Sequence, residues 1–267
     1  MKIEILLAVM NCTNENEINK ILEKNQITGQ VLVANQATNT AFTENKEKIR
    51  LISYNEIGAS QNRNRLLENT TGDICVFADD DTVFEKGYEK IIEKEYKKRN
   101  DADIIIFFAE NQNKSREKNK KIGNKKINKI NLMKVRTYEI TIKKQAIEKI
   151  NKMNIKFDTN FGPGNIFKKG EETVFISDLL DAGIKIYSVN KKIASSQNES
   201  STWFTGFNDR FMYDQGAIFY RIYKKYYKIM ILQYLIRKYH LYRKTLSIKQ
   251  AYAQMQKGAQ KCKEIYG

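Results

Sequence analysis

Short apolar runs and polar, helix-patterned stretches alternate along the first half of the chain. Ile3 to Val9, Gln30 to Ala34, Ile49 to Tyr54, Asp73 to Ala78 and Asp103 to Ala109 are brief and rich in β-branched or aromatic residues. Runs of this kind read as strands buried on both faces. Between them, helices are expected at about 17–24, over the stretch carrying Arg63 and Arg65 that stops before Gly72, and at about 85–99. The polar turn Asn11 to Asn16 caps the first of these. Strand and helix in alternation predict an α/β fold with a mostly parallel sheet and helices on both faces.

The texture then changes. Residues 111 to 131 are almost all Asn, Lys, Glu and Gln, too polar to pack, and read as a surface excursion. A strand at 137–142, a helix reaching Asn151, the Phe161 to Asn165 loop, a helix at 171–182 and a last strand from Ile184 to Val189 follow.

The fourth apolar run ends in Asp79-Asp80-Asp81. Three adjacent carboxylates repel one another, so the mouth of a core strand is a costly place for them. Two readings fit. One is a solvated acidic turn capping the next helix; the other is a site for Mn²⁺ or Mg²⁺, held by carboxylate oxygens and sharing its remaining positions with substrate phosphates. The strand before and the helical pattern after favour the cation, because open α/β sheets bind ligands at the carboxyl ends of their strands.

The 267 residues suffice for a substantial core, with one proline, Pro163, and no Pro/Gly/Ser linker. A formal charge of +16 points to an anionic partner: a nucleotide, a nucleic acid or a membrane surface. Cys12, Cys75 and Cys262 form no paired spacing, which argues against a disulfide scaffold or structural zinc and for a reducing, cytoplasmic setting. The N-terminal apolar run is too short for a signal peptide, and no run is long enough to span a membrane.

Four segments, in order, resemble the GT-A-fold glycosyltransferases of family 2, nucleotide-sugar-dependent enzymes that build bacterial surface polysaccharides. They are Ala8-Val9-Met10-Asn11, then Gly58-Ala59-Ser60-Gln61-Asn62-Arg63-Asn64, Phe77-Ala78-Asp79-Asp80-Asp81, and Gly170-Glu171-Glu172-Thr173-Val174-Phe175. The resemblance covers about residues 1–190. It implies a Rossmann-like GT-A domain over 1–215, followed by a basic helical extension over 216–267. It also implies metal-dependent, inverting transfer of a hexose from a nucleotide diphosphate sugar, a UDP-sugar in the leading reading, to a saccharide or lipid-linked saccharide.

On that resemblance Ala8, Asn11, Asn35, Arg63, Asp79 and Asp80 face the nucleotide, and Asp79 and Asp81 hold the metal, Asp81 being the more direct ligand. Arg63 braces the aspartates or the diphosphate; the other reading is a surface helix arginine. Glu172 stands where the family has an aspartate base, one methylene longer, while Glu171 beside it suits a helix start. After the second strand the family commonly has an aspartate that reads uracil; here the chain has Asn35-Gln36 and no acid before Glu44. An asparagine carbonyl can still accept from the uracil N–H.

The stretch 195–210 carries the only tryptophan, Trp203, which fits a lid or acceptor contact as well as a core anchor. Asp209, Arg210 and Asp214 lie close enough in sequence to meet the acceptor or the metal, whereas Asp178 and Asp181 read as solvent-facing. From Arg221 onward twelve Lys or Arg stand against one acid, Glu264, interleaved with tyrosines around Ile229-Met230-Ile231-Leu232. This suits an interfacial helix on anionic lipid at the inner face of the membrane, or a pair of helices packed on the domain with solvated lysines. His240, the only histidine, reads as a surface or packing residue. A nucleotidyltransferase shares the acidic site but needs a Gly-rich loop with a basic residue after the first strand, and none is present. A nucleic-acid-binding protein would show base-stacking aromatics or a recognition helix, and neither is present.

Overall fold

The computed structural model describes residues 1–36, 47–111, 123–196 and 206–267. Its frame is one mixed sheet. Strands β1 (Ile3–Met10), β2 (Gln30–Gln36), β3 (Ile49–Ser53) and β4 (Ile74–Asp79) stand in the order β3-β2-β1-β4, with every neighbour parallel. Alternate side chains go to opposite faces. Ile5, Leu7 and Val9 of β1 join Val31, Val33, Val76 and Ala78 on one face, and Leu6 joins Leu32, Ala34 and Phe77 on the other. Each face is covered, which explains why the runs lack a polar alternation. Helices α1 (Glu15–Lys24) and α3 (Tyr88–Lys98) cover the first face; α2 (Ala59–Asn69), α4 (Lys144–Lys152) and α5 (Glu171–Asp181) cover the second.

The other half of the sheet is mixed. Strand β8 (Ile140–Lys143) runs antiparallel to β4 and to β6 (Ile104–Asn111), and β9 (Ile186–Ser196) runs parallel to β6. The two-residue β7 (Lys125–Lys126) and β5 (Thr82–Phe84) both pair antiparallel with β9. Strand β5 is absent from the sequence reading, which ran the acidic turn straight into a helix; in the structure the β-branched Thr82 and Val83 pair with Ser196 and Ser195, and α3 starts only after Gly87. Strand β9 runs past Val189 to Ser196, its polar Asn190-Lys191 stretch lying between two segments paired with β6. The strand expected from 137 begins as a helical turn, Thr137–Glu139, before β8.

Register fixes where the strand ends meet. Ala8 lies beside Ala34 of β2 and beside Asp79 of β4, so β1, β2 and β4 finish almost level and bring Asn11, Asn35 and the aspartates to one edge.

Helices α6 (Asp209–Tyr223), α7 (Tyr227–Tyr242) and α8 (Ile248–Tyr266) form the C-terminal part. Met212, Phe219, Ile231, Leu235, Tyr242 and Met255 make a small core among them. Helix α6 also sends Ala217, Ile218 and Ile222 into the core on the α5 side of the sheet. The expected division between residues 215 and 216 lies within this helix.

Candidate active site

The site is assembled where β4 ends and α5 begins. Arg63, on the inner face of α2, donates from Nη1 to Glu171 Oε1 at 2.9 Å and from Nη2 to Asp79 Oδ1 at 3.2 Å. At 7 % exposure this guanidinium is a buried clamp between the acidic strand end and the α5 N-terminus. It is not a surface arginine. Around it, α2 fastens the neighbouring chain: Ser60 donates to the Phe161 carbonyl at 2.8 Å, Asn62 to those of Val9 and Ala34 at 3.1 and 3.0 Å, and Asn64 exchanges bonds of 2.9 and 2.8 Å with the Phe157 backbone. The loop so held carries Gly162 at a φ of 98°, and a Cβ there would stand 3.0 Å from Glu171 Cδ. Only glycine allows both that backbone and that approach.

Glu172 follows Glu171 at the start of α5, and its Oε1 accepts from the Thr137 hydroxyl at 2.9 Å. Burial and the neighbouring Glu171 push its carboxyl well above the usual carboxylate range, with Arg63 opposing them. Asp80 and Asp81 are also raised, by burial first and then by the adjacent carboxylates. Ser196 donates to Asp81 Oδ2 at 2.8 Å, which ties the triplet to the end of β9. Thr137 and Ser196 had no signal in the sequence, since a single hydroxyl carries no pattern. Glu171 lies inside one of the four segments, but a carboxylate at a helix start has an ordinary reason to stand there.

Asn35 requires a correction. It is fully buried; its Oδ1 accepts from the Cys12 N–H at 3.1 Å and its Nδ2 donates to the Cys12 carbonyl at 2.8 Å. With both ends of its amide turned onto a backbone peptide, it braces the turn after β1 and does not present an edge to a base. Gln36 beside it accepts from the Gly58 N–H at 2.9 Å. Asn11 is exposed in that turn at a φ of 58°, and Ala8 lines the edge beside Asp79.

Asp209 opens α6 on the surface, where its charge suits the helix N-terminus. Arg210 and Asp214 pair with each other at 3.0 Å, Asp214 being 2 % exposed. Asp178 is not solvent-facing as expected: Arg221 of α6 grips it through two bonds of 2.9 and 2.7 Å. Asp181 is mostly exposed and pairs with Lys129 at 2.7 Å. Trp203 and Glu44 lie outside the described residues.

Residues 33–154 match the family model described as glycosyl transferase family 2. Over that stretch, a little under half of its length, the chain is similar to the family 2 glycosyltransferases. As a fold, the chain is similar to Staphylococcus aureus TarS 1-349, at 14 % identity and a TM-score of 0.60 over 100 % of this chain and 91 % of that one. It is similar also to TarS 1-349 in complex with UDP-GlcNAc, at 13 % identity and a TM-score of 0.61 with the same coverage, and to a longer S. aureus TarS chain at 14 % identity and 0.56, over 90 % of this chain and 44 % of that one. No curated protein matches. The likeness, with the sheet order above, gives the chain the expected GT-A fold, and the family match spans Arg63 and the three aspartates but stops before Glu171.

Proposed function

We propose that this glycosyltransferase moves a hexose from a UDP-sugar to a saccharide acceptor with inversion at the anomeric carbon, using Glu172 as the base. The observation that carries the reading is the Arg63 clamp, which sets an acidic strand end beside a helix start bearing a carboxyl of raised proton affinity. Glu172 takes the proton from the acceptor hydroxyl as its oxygen bonds to the anomeric carbon; the bond from that carbon to the diphosphate breaks, and the nucleoside diphosphate leaves. A base whose pKa lies near the working pH suits this role.

The residues fit a divalent cation. Asp79 and Asp81 offer hard oxygen donors, and the raised proton affinity of Asp80 and Asp81 marks carboxylate charge that the protein does not itself neutralise. Asp79 and Asp81 would hold the ion, with diphosphate and water oxygens supplying the remaining donors, as is usual for Mg²⁺. Mn²⁺ or Mg²⁺ bound there would offset the charge that develops on the departing diphosphate.

With Asn35 turned inward, support for uridine comes from the TarS complex with UDP-GlcNAc. The acceptor is a saccharide carried on lipid at the cytoplasmic face of the membrane, in surface polysaccharide synthesis. The support is the basic C-terminal part.

A thermal-shift panel of UDP, GDP, CDP and dTDP, with and without Mn²⁺, tests the donor site. UDP with Mn²⁺ is expected to raise the melting temperature of the wild type and not that of Asp81→Ala. No stabilisation by any diphosphate at saturation would remove the proposal.

A further inference from the structure

Helix α7 has two apolar faces. Ile231, Tyr234, Leu235 and Tyr242 are buried against α6 and α8. The opposite side is also apolar: Ile229 is 64 % exposed, Leu232 52 %, Ile236 77 % and Tyr239 42 %. Their spacings of three, four and three residues place them in one stripe about 15 Å long. Single exposed apolar residues are ordinary on a protein surface, but a stripe of four on one helix is not.

Lys225, in the 3-10 turn that leads into α7, and Arg243, which caps its C-terminus, are both exposed, so a cation stands beyond each end of the stripe. Lys228 and Lys244 are exposed beside it. From residue 221 on, the only acid is Glu264, on α8. A second copy of α7 laid along this stripe would bring lysines and arginines against their like, with no acid to answer them. An anionic lipid surface answers them all: headgroups take the cations, and the isoleucines, leucine and tyrosine enter the boundary of the acyl layer.

We infer that the outer face of α7 docks this protein on anionic membrane, with Ile229, Leu232, Ile236 and Tyr239 inserted in the interface and the flanking lysines and arginines on the headgroups. The helix lies in the plane of the surface, since at 16 residues it is not long and apolar enough to cross it.

The test is sedimentation of the full chain with vesicles of phosphatidylcholine alone and of phosphatidylcholine with about a third phosphatidylglycerol. The wild type is expected to partition onto the anionic vesicles and to come off as salt is raised. Ile229→Ser/Ile236→Ser is expected to lose at least tenfold in partitioning. Lys225→Glu/Lys228→Glu is expected to lose binding to anionic vesicles while keeping the wild-type melting temperature. All four side chains are exposed, so loss of fold does not explain a loss of binding. Partitioning is read without substrate, so its outcome does not depend on the transfer chemistry. Equal binding of the isoleucine variant, or no binding by the wild type, overturns the inference. A wild-type dimer that the isoleucine variant converts to monomer, with vesicle binding absent, assigns the face instead to a second copy of the chain.

Discussion

At Glu172 the surroundings work in opposite directions. Burial and Glu171 favour the protonated carboxyl, while the Thr137 hydroxyl and Arg63 favour the carboxylate. The base form is the ionised one, so kcat/KM should fall as pH drops through the raised pKa, in a range where an ordinary glutamate near 4.3 would stay ionised. Removing the hydroxyl in Thr137→Val withdraws a bond to the carboxylate and should move that limb to higher pH; Thr137→Ser should keep it in place. A pH profile of kcat/KM for the three proteins decides this, and a limb at the usual carboxylate pKa would exclude Glu172 as the base. Glu172→Gln should lower kcat about 10²- to 10⁴-fold with the UDP-dependent thermal shift intact. The aspartates stood out in the sequence because clustered charge at a strand end is hard to place without a purpose; Arg63 stood out only through the family resemblance, since Arg65 on the same helix is an arginine of the same local pattern and lies at the surface. Asn35 did not, because a short amide at a strand end reads alike whether it turns to a ligand or to a backbone peptide. The structure separates the cases by showing both ends of the amide on Cys12.

Among the elements, the packing of α6 against α8 depends on two glycines facing each other's helix. A Cβ built on Gly216 would collide with the Met255 carbonyl, and one on Gly258 with the Tyr213 carbonyl. In an exposed helix Gly→Ala stabilises by up to about 1 kcal/mol. Here the sign should reverse: Gly258→Ala forces the helices apart, and overpacking of this kind costs about 1–3 kcal/mol. A thermal or urea melt measures it, and an unchanged or raised stability would contradict the close crossing. Strands were the more readable elements, since β1, β2 and β4 are apolar on both faces and admit no other reading. The C-terminal part was less so. Its basic stretch reads either as an interfacial helix or as a pair of packed helices, yet α6 starts at Asp209 and serves two cores at once, and a helix apolar on more than one side has no single stripe to give away its partners. Strand β5 was missed for a different reason: three residues gain strand form only from pairing with β9, a contact about 110 residues away that no local pattern records.

In the whole molecule, α6 and α8 join the sheet to the C-terminal helices through polar bonds as well as packing. Arg221 of α6 bonds Asp158 at 3.2 Å as well as Asp178 of α5. The Tyr266 hydroxyl of α8 bonds Asp158 at 2.6 Å, and Asn160 donates to that hydroxyl at 2.8 Å. Residues 157–165, pinned on one side by Ser60 and Asn64, are held on the other by these two helices. Deleting residues 248–267 should therefore do more than shorten the surface: the melt should broaden and shift down, and the UDP-dependent stabilisation should be lost. Calorimetry of the truncated chain with and without UDP and Mn²⁺ measures both, and a sharp melt with donor binding retained would show the helices to be dispensable. Tyr266 and Asp158 are 108 residues apart. At a synthesis rate of about 5–20 residues per second, roughly 5 to 20 seconds separate their emergence from the ribosome. During that interval the sheet can form while the loop under Glu171 still lacks its tyrosine. The support beneath the proposed donor site is thus a late product of translation, and a growing chain can show its aspartates well before residues 157–165 are held on both sides.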